Sequence, residues 1–147
     1  YNLVKEDYRY DYGGRIMNED YKPDGFNQVS PYLTVTDAHI LVDFMVQVFN
    51  AEILERNERP DGKISNAAVR IGDSSLEITE ATERFGAMPG ALHIYVPDID
   101  ETHRRAIENG AQALHEPMEM DYGERASAVV DTSGNHWYIA TFYRNNG

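Results

Sequence analysis

The chain contains the same pattern twice, with equivalent residues 60 to 62 positions apart. Asp37 and Asp98 each follow a short apolar stretch and precede a stretch of helical periodicity, and aspartate is a favoured helix N-cap. Asn50 and Gly110 stand where the two helices are expected to end, and both residue types tolerate the left-handed conformation common there. A repeat of this length indicates two copies of one supersecondary unit.

Each copy is predicted to form a strand, a helix and three further strands. The first helix carries apolar residues on one face at helical spacing, namely Ile40, Leu41, Phe44, Met45, Val48 and Phe49. The second helix is predicted over 98–109, with Ile99, Ala106 and Ile107 on its buried side. The strands that follow are predicted over 51–58, 63–71 and 74–79 in the first copy, and over 112–115, 125–131 and 136–143 in the second.

Composition excludes several classes of partner. A net charge of −12 is unsuited to nucleic acid, because phosphate binding needs clustered Lys and Arg. The chain has no stretch near the roughly 20 apolar residues that cross a bilayer, and its N-terminus lacks the apolar segment of a signal peptide. Without cysteine there can be no disulfide, thiolate ligand or cysteine nucleophile. We therefore expect a cytoplasmic protein with no membrane and no nucleic-acid partner.

Residues 1–28 lie outside the repeat and hold five of the ten tyrosines. We predict that they form an N-terminal arm packed on the body or on a partner subunit, since so aromatic a segment is costly to leave in water. Residues 29–147 are predicted to form a single domain, with modules at about 29–80 and 91–143.

Five segments, in the order in which they occur, resemble the glyoxalase/bleomycin-resistance/dioxygenase superfamily, also called the vicinal oxygen chelate superfamily. They are Ser-Pro-Tyr-Leu-Thr-Val-Thr-Asp at 30–37, Phe-Asn-Ala-Glu at 49–52, Ile-Gly-Asp-Ser at 71–74, Ala-Leu-His-Ile-Tyr-Val-Pro-Asp at 91–98 and Asp-Thr-Ser-Gly-Asn-His-Trp-Tyr-Ile-Ala-Thr at 131–141. The last is similar to the closing strand of the PhnB-like branch. The resemblance implies an α+β fold in which two βαβββ modules form a curved, barrel-like mixed sheet around a cavity, with the helices outside. It also implies a homodimer.

The resemblance further indicates where a metal would bind. Metal-dependent members take one ligand from the first strand and one from the fourth strand of each module, usually His and Glu. Those positions match Ser30 and Glu77 in the first module, and Ala91 and Tyr138 in the second. Alanine cannot coordinate a metal, and serine and neutral tyrosine are poor donors for a divalent ion. We therefore predict no metal at the usual site and no other cofactor.

Strand alternation predicts which side chains line the cavity. Residues two apart on a strand share a face, so a set of polar and aromatic side chains is expected on the concave faces. Arg125 is a further candidate whose face the sequence leaves open. The candidate ligand-binding residues are Tyr32, Asn66, Glu77, His93, Tyr95, Arg125, His136 and Tyr138. The other histidines, at positions 39, 103 and 115, are expected to be solvated.

Several functions stay open at this point. The first is a metal-independent binding protein that sequesters a cationic or aromatic small molecule, because aromatic walls with a few polar groups suit such ligands. The second is a lyase, isomerase or dioxygenase that uses Glu77 with His93 and His136, with or without a divalent metal at a displaced site. The third is a domain that serves mainly for interaction through its N-terminal arm. The fold alone does not decide among them.

Overall fold

The computed structural model describes residues 21–143 and the backbone of two short strands before them, β1 (Arg9–Tyr10) and β2 (Ile16–Met17). These two strands pair antiparallel. The rest of the predicted N-terminal arm lies outside the described residues, apart from 21–28.

Both repeats form the predicted βαβββ unit, which confirms the α+β fold. The first module comprises β3 (Tyr32–Val35), α1 (Ala38–Phe49), β4 (Glu52–Glu58), β5 (Ile64–Ile71) and β6 (Ser74–Glu80). The second comprises β7 (Ala91–Tyr95), α2 (Ile99–Glu108), β8 (Gln112–Glu119), β9 (Glu124–Val130) and β10 (His136–Phe142). β8 continues four residues beyond the predicted strand, through Pro117.

Each module forms its own four-stranded mixed sheet, in the orders β3-β6-β5-β4 and β7-β10-β9-β8. The first strand runs parallel to the fourth, and the other pairs are antiparallel. Tyr32 pairs with Glu77, and His93 pairs with Tyr138, so the repeat in the sequence is also a repeat in the register. The two sheets remain separate and do not close into the barrel that the resemblance implied.

The two helices begin in different ways. Asp98 caps α2 as expected, because its carboxylate accepts a hydrogen bond from the Glu101 backbone N–H. Asp37 stands at the N-cap position of α1 as predicted, but its side chain makes no capping hydrogen bond. Its backbone N–H instead donates to the carboxylate of Glu80 at the end of β6 (2.8 Å). At the position equivalent to Glu80, the hydroxyl of Thr141 accepts from the N–H of Ile99 (3.0 Å).

One hydrophobic core joins the two modules. α1 buries most of its predicted stripe, although Ile40 is exposed, and α2 exposes Ile107. The rings of Phe44 and Phe49 lie 6.3 and 4.7 Å, centroid to centroid, from the ring of Trp137 in the second sheet. The helix of the first module therefore packs against the sheet of the second, and the side of each sheet away from the helices is left uncovered.

Candidate functional site

The face of the second sheet that points away from α2, here called the second open face, carries four of the predicted site residues. His93 and Tyr95 project from β7, and their rings lie 4.6 Å apart. His136 and Tyr138 project from the adjacent β10. Tyr95 is 66% exposed and Tyr138 43% exposed, although large aromatic side chains are usually mostly buried.

The floor between these rings is made of small side chains. Ala128 pairs with Tyr138, and Ala140 pairs with both Tyr95 and Ala126. All three alanines are buried, although they belong to the same uncovered face. Larger neighbouring side chains therefore cover them, and the accessible surface of the second open face is formed by aromatic and imidazole side chains.

The corresponding face of the first sheet, the first open face, carries three more of the predicted residues on the expected side. Tyr32 pairs with Glu77, which pairs in turn with Ala68, so the three share one face. Asn66 lies on the same face and accepts a hydrogen bond from the amide of Asn57 (2.8 Å). On the other face of β5, the apolar side chains of Ala67 and Val69 are buried beneath α1, as predicted.

Two cavities adjoin these faces. A cavity of about 710 Å³ lies along β7 and is lined by His93 and Tyr95 together with the segments 27–31 and 71–74. A second cavity, of about 220 Å³, lies over the first open face between the rings of Tyr32 and Phe85. Each cavity thus holds candidate residues of one module, and a single chain does not gather all the candidates into one pocket.

Arg125 does not join the other candidates, because it lies on the helix side of the second sheet. It pairs with Thr141, whose hydroxyl bonds the start of α2. Two hydrogen bonds of 2.9 Å join its guanidinium to the carboxylate of Asp100 on α2. First the hydrogen bond and then the charge of Arg125 hold the pKa of Asp100 below its usual range. The ion pair between Arg125 and Asp100 therefore connects α2 to the second sheet.

The positions that hold metal in related proteins do not form a suitable ligand set in this chain. The hydroxyl of Ser30 is hydrogen bonded to that of Ser75 (2.9 Å), and Ala91 offers no donor atom. In the part of the chain that the structure describes, no three His, Asp or Glu side chains are close enough to share a metal ion. The displaced set of Glu77, His93 and His136 is not assembled among the described residues either.

The structure adds one titratable residue to the second open face that the sequence did not indicate. Glu124, the first residue of β9, is only 6% exposed. Desolvation, followed by the charge and hydrogen bonding of Glu124, raises the pKa of the nearby Tyr122 phenol. The signal for Glu124 was present in the strand alternation, because it has the same parity as Ala126 and Ala128.

His103 is buried, and the expectation that it would be solvated is wrong. Its Nδ1 atom is 2.7 Å from the hydroxyl of Ser127, between α2 and the second sheet. Its Nε2 atom lies 3.0 Å from Oε2 of Glu116, at an angle unsuited to a hydrogen bond. These contacts place His103 on the helix side, away from both open faces.

Comparison with known proteins gives a consistent family. Residues 25–139 match the model of the glyoxalase/bleomycin resistance protein/dioxygenase superfamily. An uncharacterised protein of Mycobacterium bovis is 32% identical over 122 residues, which cover 76% of this chain and 80% of that protein. A lactoylglutathione lyase of Neisseria meningitidis is 30% identical over 98 residues, which cover 61% of this chain and 71% of the lyase. The crystal structure of TioX from Micromonospora sp. ML1 superimposes with a TM-score of 0.68 at 24% identity, covering 80% of this chain and 99% of TioX. No helix in the described residues is long and apolar enough to span a membrane.

Proposed function

Since the chain belongs to the glyoxalase/bleomycin resistance protein/dioxygenase superfamily, we propose that it binds an aromatic or cationic small molecule on its open faces without a metal. The exposure of the Tyr95 and Tyr138 rings around the buried alanine floor carries this proposal. Exposed aromatic side chains that adjoin one another on a protein surface often mark a binding site. Aromatic walls with a few polar groups suit a planar or amphipathic ligand.

The first test measures the binding of neutral and cationic planar aromatic compounds to the full chain by ligand-detected NMR. Tyr95→Ala and Tyr138→Ala should each weaken binding by about tenfold, because stacked aromatic contacts contribute on the order of 1 kcal/mol beyond the area they bury. Tyr21→Ala is the control, since Tyr21 is also exposed but lies outside both sheets. Equal loss in all three variants, or no binding by any compound, contradicts the proposal.

The second test concerns the metal. The chemistry of Ser30, Ala91 and Tyr138 supports metal independence, as each is a poor ligand or none. Purified protein soaked with zinc, iron, manganese or nickel and then desalted should retain far less than one ion per chain. Near-stoichiometric metal that disappears in Glu77→Ala would refute this part of the proposal, and would make Glu77 a ligand.

An enzymatic function is the second candidate, and the likeness to a lactoylglutathione lyase favours it. Glu77 is a half-buried carboxylate on the first open face, where a general base would meet a ligand. Turnover of a bound compound that Glu77→Gln abolishes, while its affinity is kept, would establish this alternative. Binding without turnover supports the first candidate.

We further propose a cytoplasmic homodimer in which a second copy pairs with the edge of β7. The backbone N–H of Val96 donates to the carbonyl oxygen of Ala140 in β10. Backbone polar groups of successive residues in a strand point to opposite sides, so the N–H and C=O groups of His93 and Tyr95 point away from β10. Among the described strands only β10 pairs with β7, so this edge is free for another strand. Sedimentation should give twice the chain mass, and a single-chain mass at every concentration would contradict the dimer. Cell fractionation tests the location.

A further inference from the structure

We propose that Glu124, Tyr95 and Tyr122 form a binding site for a cationic group, such as a quaternary ammonium, at one end of the second open face. This inference rests on the proposed function and assigns a residue to the charge of the ligand. It gives Glu124 the role of counter-charge to the ligand. We call these three residues the cation site.

The sheet register brings the cation site together. Glu124 pairs with Phe142 in β10, and its side chain lies on the same face as Ala126. Ala126 pairs with Ala140, which pairs in turn with Tyr95. Tyr95 and Glu124 therefore share the face opposite to the helices, on the two strands that flank β10 and two residues apart along it.

Glu124 is a carboxylate that lacks a charge partner within the described residues. It is 94% buried, yet none of the ion pairs in the part of the chain described by the structure includes it. Its neighbour is the neutral phenol of Tyr122, whose pKa is raised by desolvation and then by the charge of Glu124. A buried carboxylate is costly unless it is compensated, and an incoming cation would supply that compensation.

The two tyrosine rings suit the same ligand group. Tyr95 and Tyr122 are each 66% exposed, and ionisation of the Tyr95 phenol is among the smaller causes that raise the pKa of Tyr122. A quaternary ammonium against the face of an aromatic ring is attracted by the ring quadrupole. The net charge of −12 increases the local concentration of cations around the whole protein, but only a site with this geometry would discriminate among them.

The test compares choline with neohexyl alcohol, its uncharged carbon isostere, in NMR titrations of the full chain. Choline should bind at least about tenfold more tightly than the alcohol, and Glu124→Gln should remove that preference while alcohol binding changes less than about twofold. Tyr122→Leu, in an exposed turn, should weaken choline binding by about three- to tenfold. Glu119→Gln is the matched control, because Glu119 lies in the same hairpin on the helix side and the substitution removes the same charge.

Several results would overturn the cation site. Equal binding of choline and the alcohol by the unmodified chain would do so. A preference that survives in Glu124→Gln, or that Glu119→Gln reduces as much, would show a general charge effect instead. Failure of the proposed function looks different, since neutral planar compounds would then not bind either. Binding of neutral planar compounds without a preference for choline refutes the cation site alone.

Discussion

Removing the carboxylate of Asp131 should destabilise the second module severely. Asp131 lies at the end of β9 and is 5% exposed. One oxygen accepts the backbone N–H groups of Ser133 (2.9 Å) and Asn135 (3.0 Å), and the other accepts the indole N–H of Trp137 (2.8 Å). The amide of Asn135 donates to both oxygens, and its own Oδ1 accepts the N–H of Gly90 (2.9 Å). One carboxylate thus organises the turn into β10 and its contact with β7.

The magnitude follows from the donors that are left without a partner. Asp131→Ala would strand three main donors, two of them on fully buried residues, and a buried unpaired donor costs about 1–3 kcal/mol. Because the donors belong to one network and water can reach part of the gap, we expect a loss of about 3–5 kcal/mol, as for other broken buried charge networks. Asp131→Asn keeps one oxygen acceptor, but its NH₂ group then faces the indole N–H, and two donors cannot bond each other. We expect a loss of about 1.5–3 kcal/mol in the free energy of unfolding.

The assay is urea unfolding followed by tryptophan fluorescence and circular dichroism. Trp137 is the only tryptophan, so its emission reports on this network directly. Asp73→Ala in the equivalent turn of the first module is the control, because among the described residues the Asp73 carboxylate accepts only from the hydroxyl of adjacent Ser74. That variant should stay within about 0.5 kcal/mol of the original protein. A loss of stability below about 1 kcal/mol for Asp131→Ala would refute the reasoning. It would mean that not even one buried donor is left without a partner at the usual cost.

Three further results are expected. Glu80→Ala removes the acceptor of two backbone N–H groups at the start of α1, and urea unfolding should show a loss of about 1–2 kcal/mol; no loss would mean that water replaces this cap. The hydrogen bond and charge of Arg125 lower the pKa of Asp100, so stabilisation by this pair is present at neutral pH and is lost as the pH falls through that lowered pKa. Asp100→Asn should flatten that acidic part of a stability–pH curve, and an unchanged curve would contradict the assignment. Glu124→Gln should return the raised pKa of Tyr122 toward its ordinary value in an absorbance titration of phenolate, with Tyr122→Phe identifying its signal.

The sequence predicted the elements well, because their periodicity is local. Every strand and helix of the two repeats was anticipated. The equivalent pairings of Tyr32 with Glu77 and of His93 with Tyr138 were not predicted and come from the structure. The exception at β8 has a physical reason, since proline usually argues against a strand. Pro117 is tolerated because β8 is the last strand of its sheet and has pairing irregularities between Ala113 and Met118.

The site was harder to predict, because the face of a side chain depends on where a strand begins. β9 begins at Glu124, one residue earlier than expected, and this phase directs Arg125 toward α2 and Glu124 toward the open face. A charged residue at the end of a strand is normally exposed, so its residue type gave no indication that Glu124 would be buried. The burial of His103 depends on Ser127, a residue 24 positions away, which no local pattern reveals.

The contact of α1 with Trp137 means that the two halves of the chain are not autonomous. Residues 81–90 are the only connection between the modules, and each half alone would expose the surface where Phe49 meets the second sheet. Separate polypeptides for 1–85 and 86–147 should therefore be unfolded or aggregated apart, and should assemble when mixed. Two genes that encode residues 1–85 and 86–147 would then form a complementation pair, because the fold is recovered only when the two polypeptides associate.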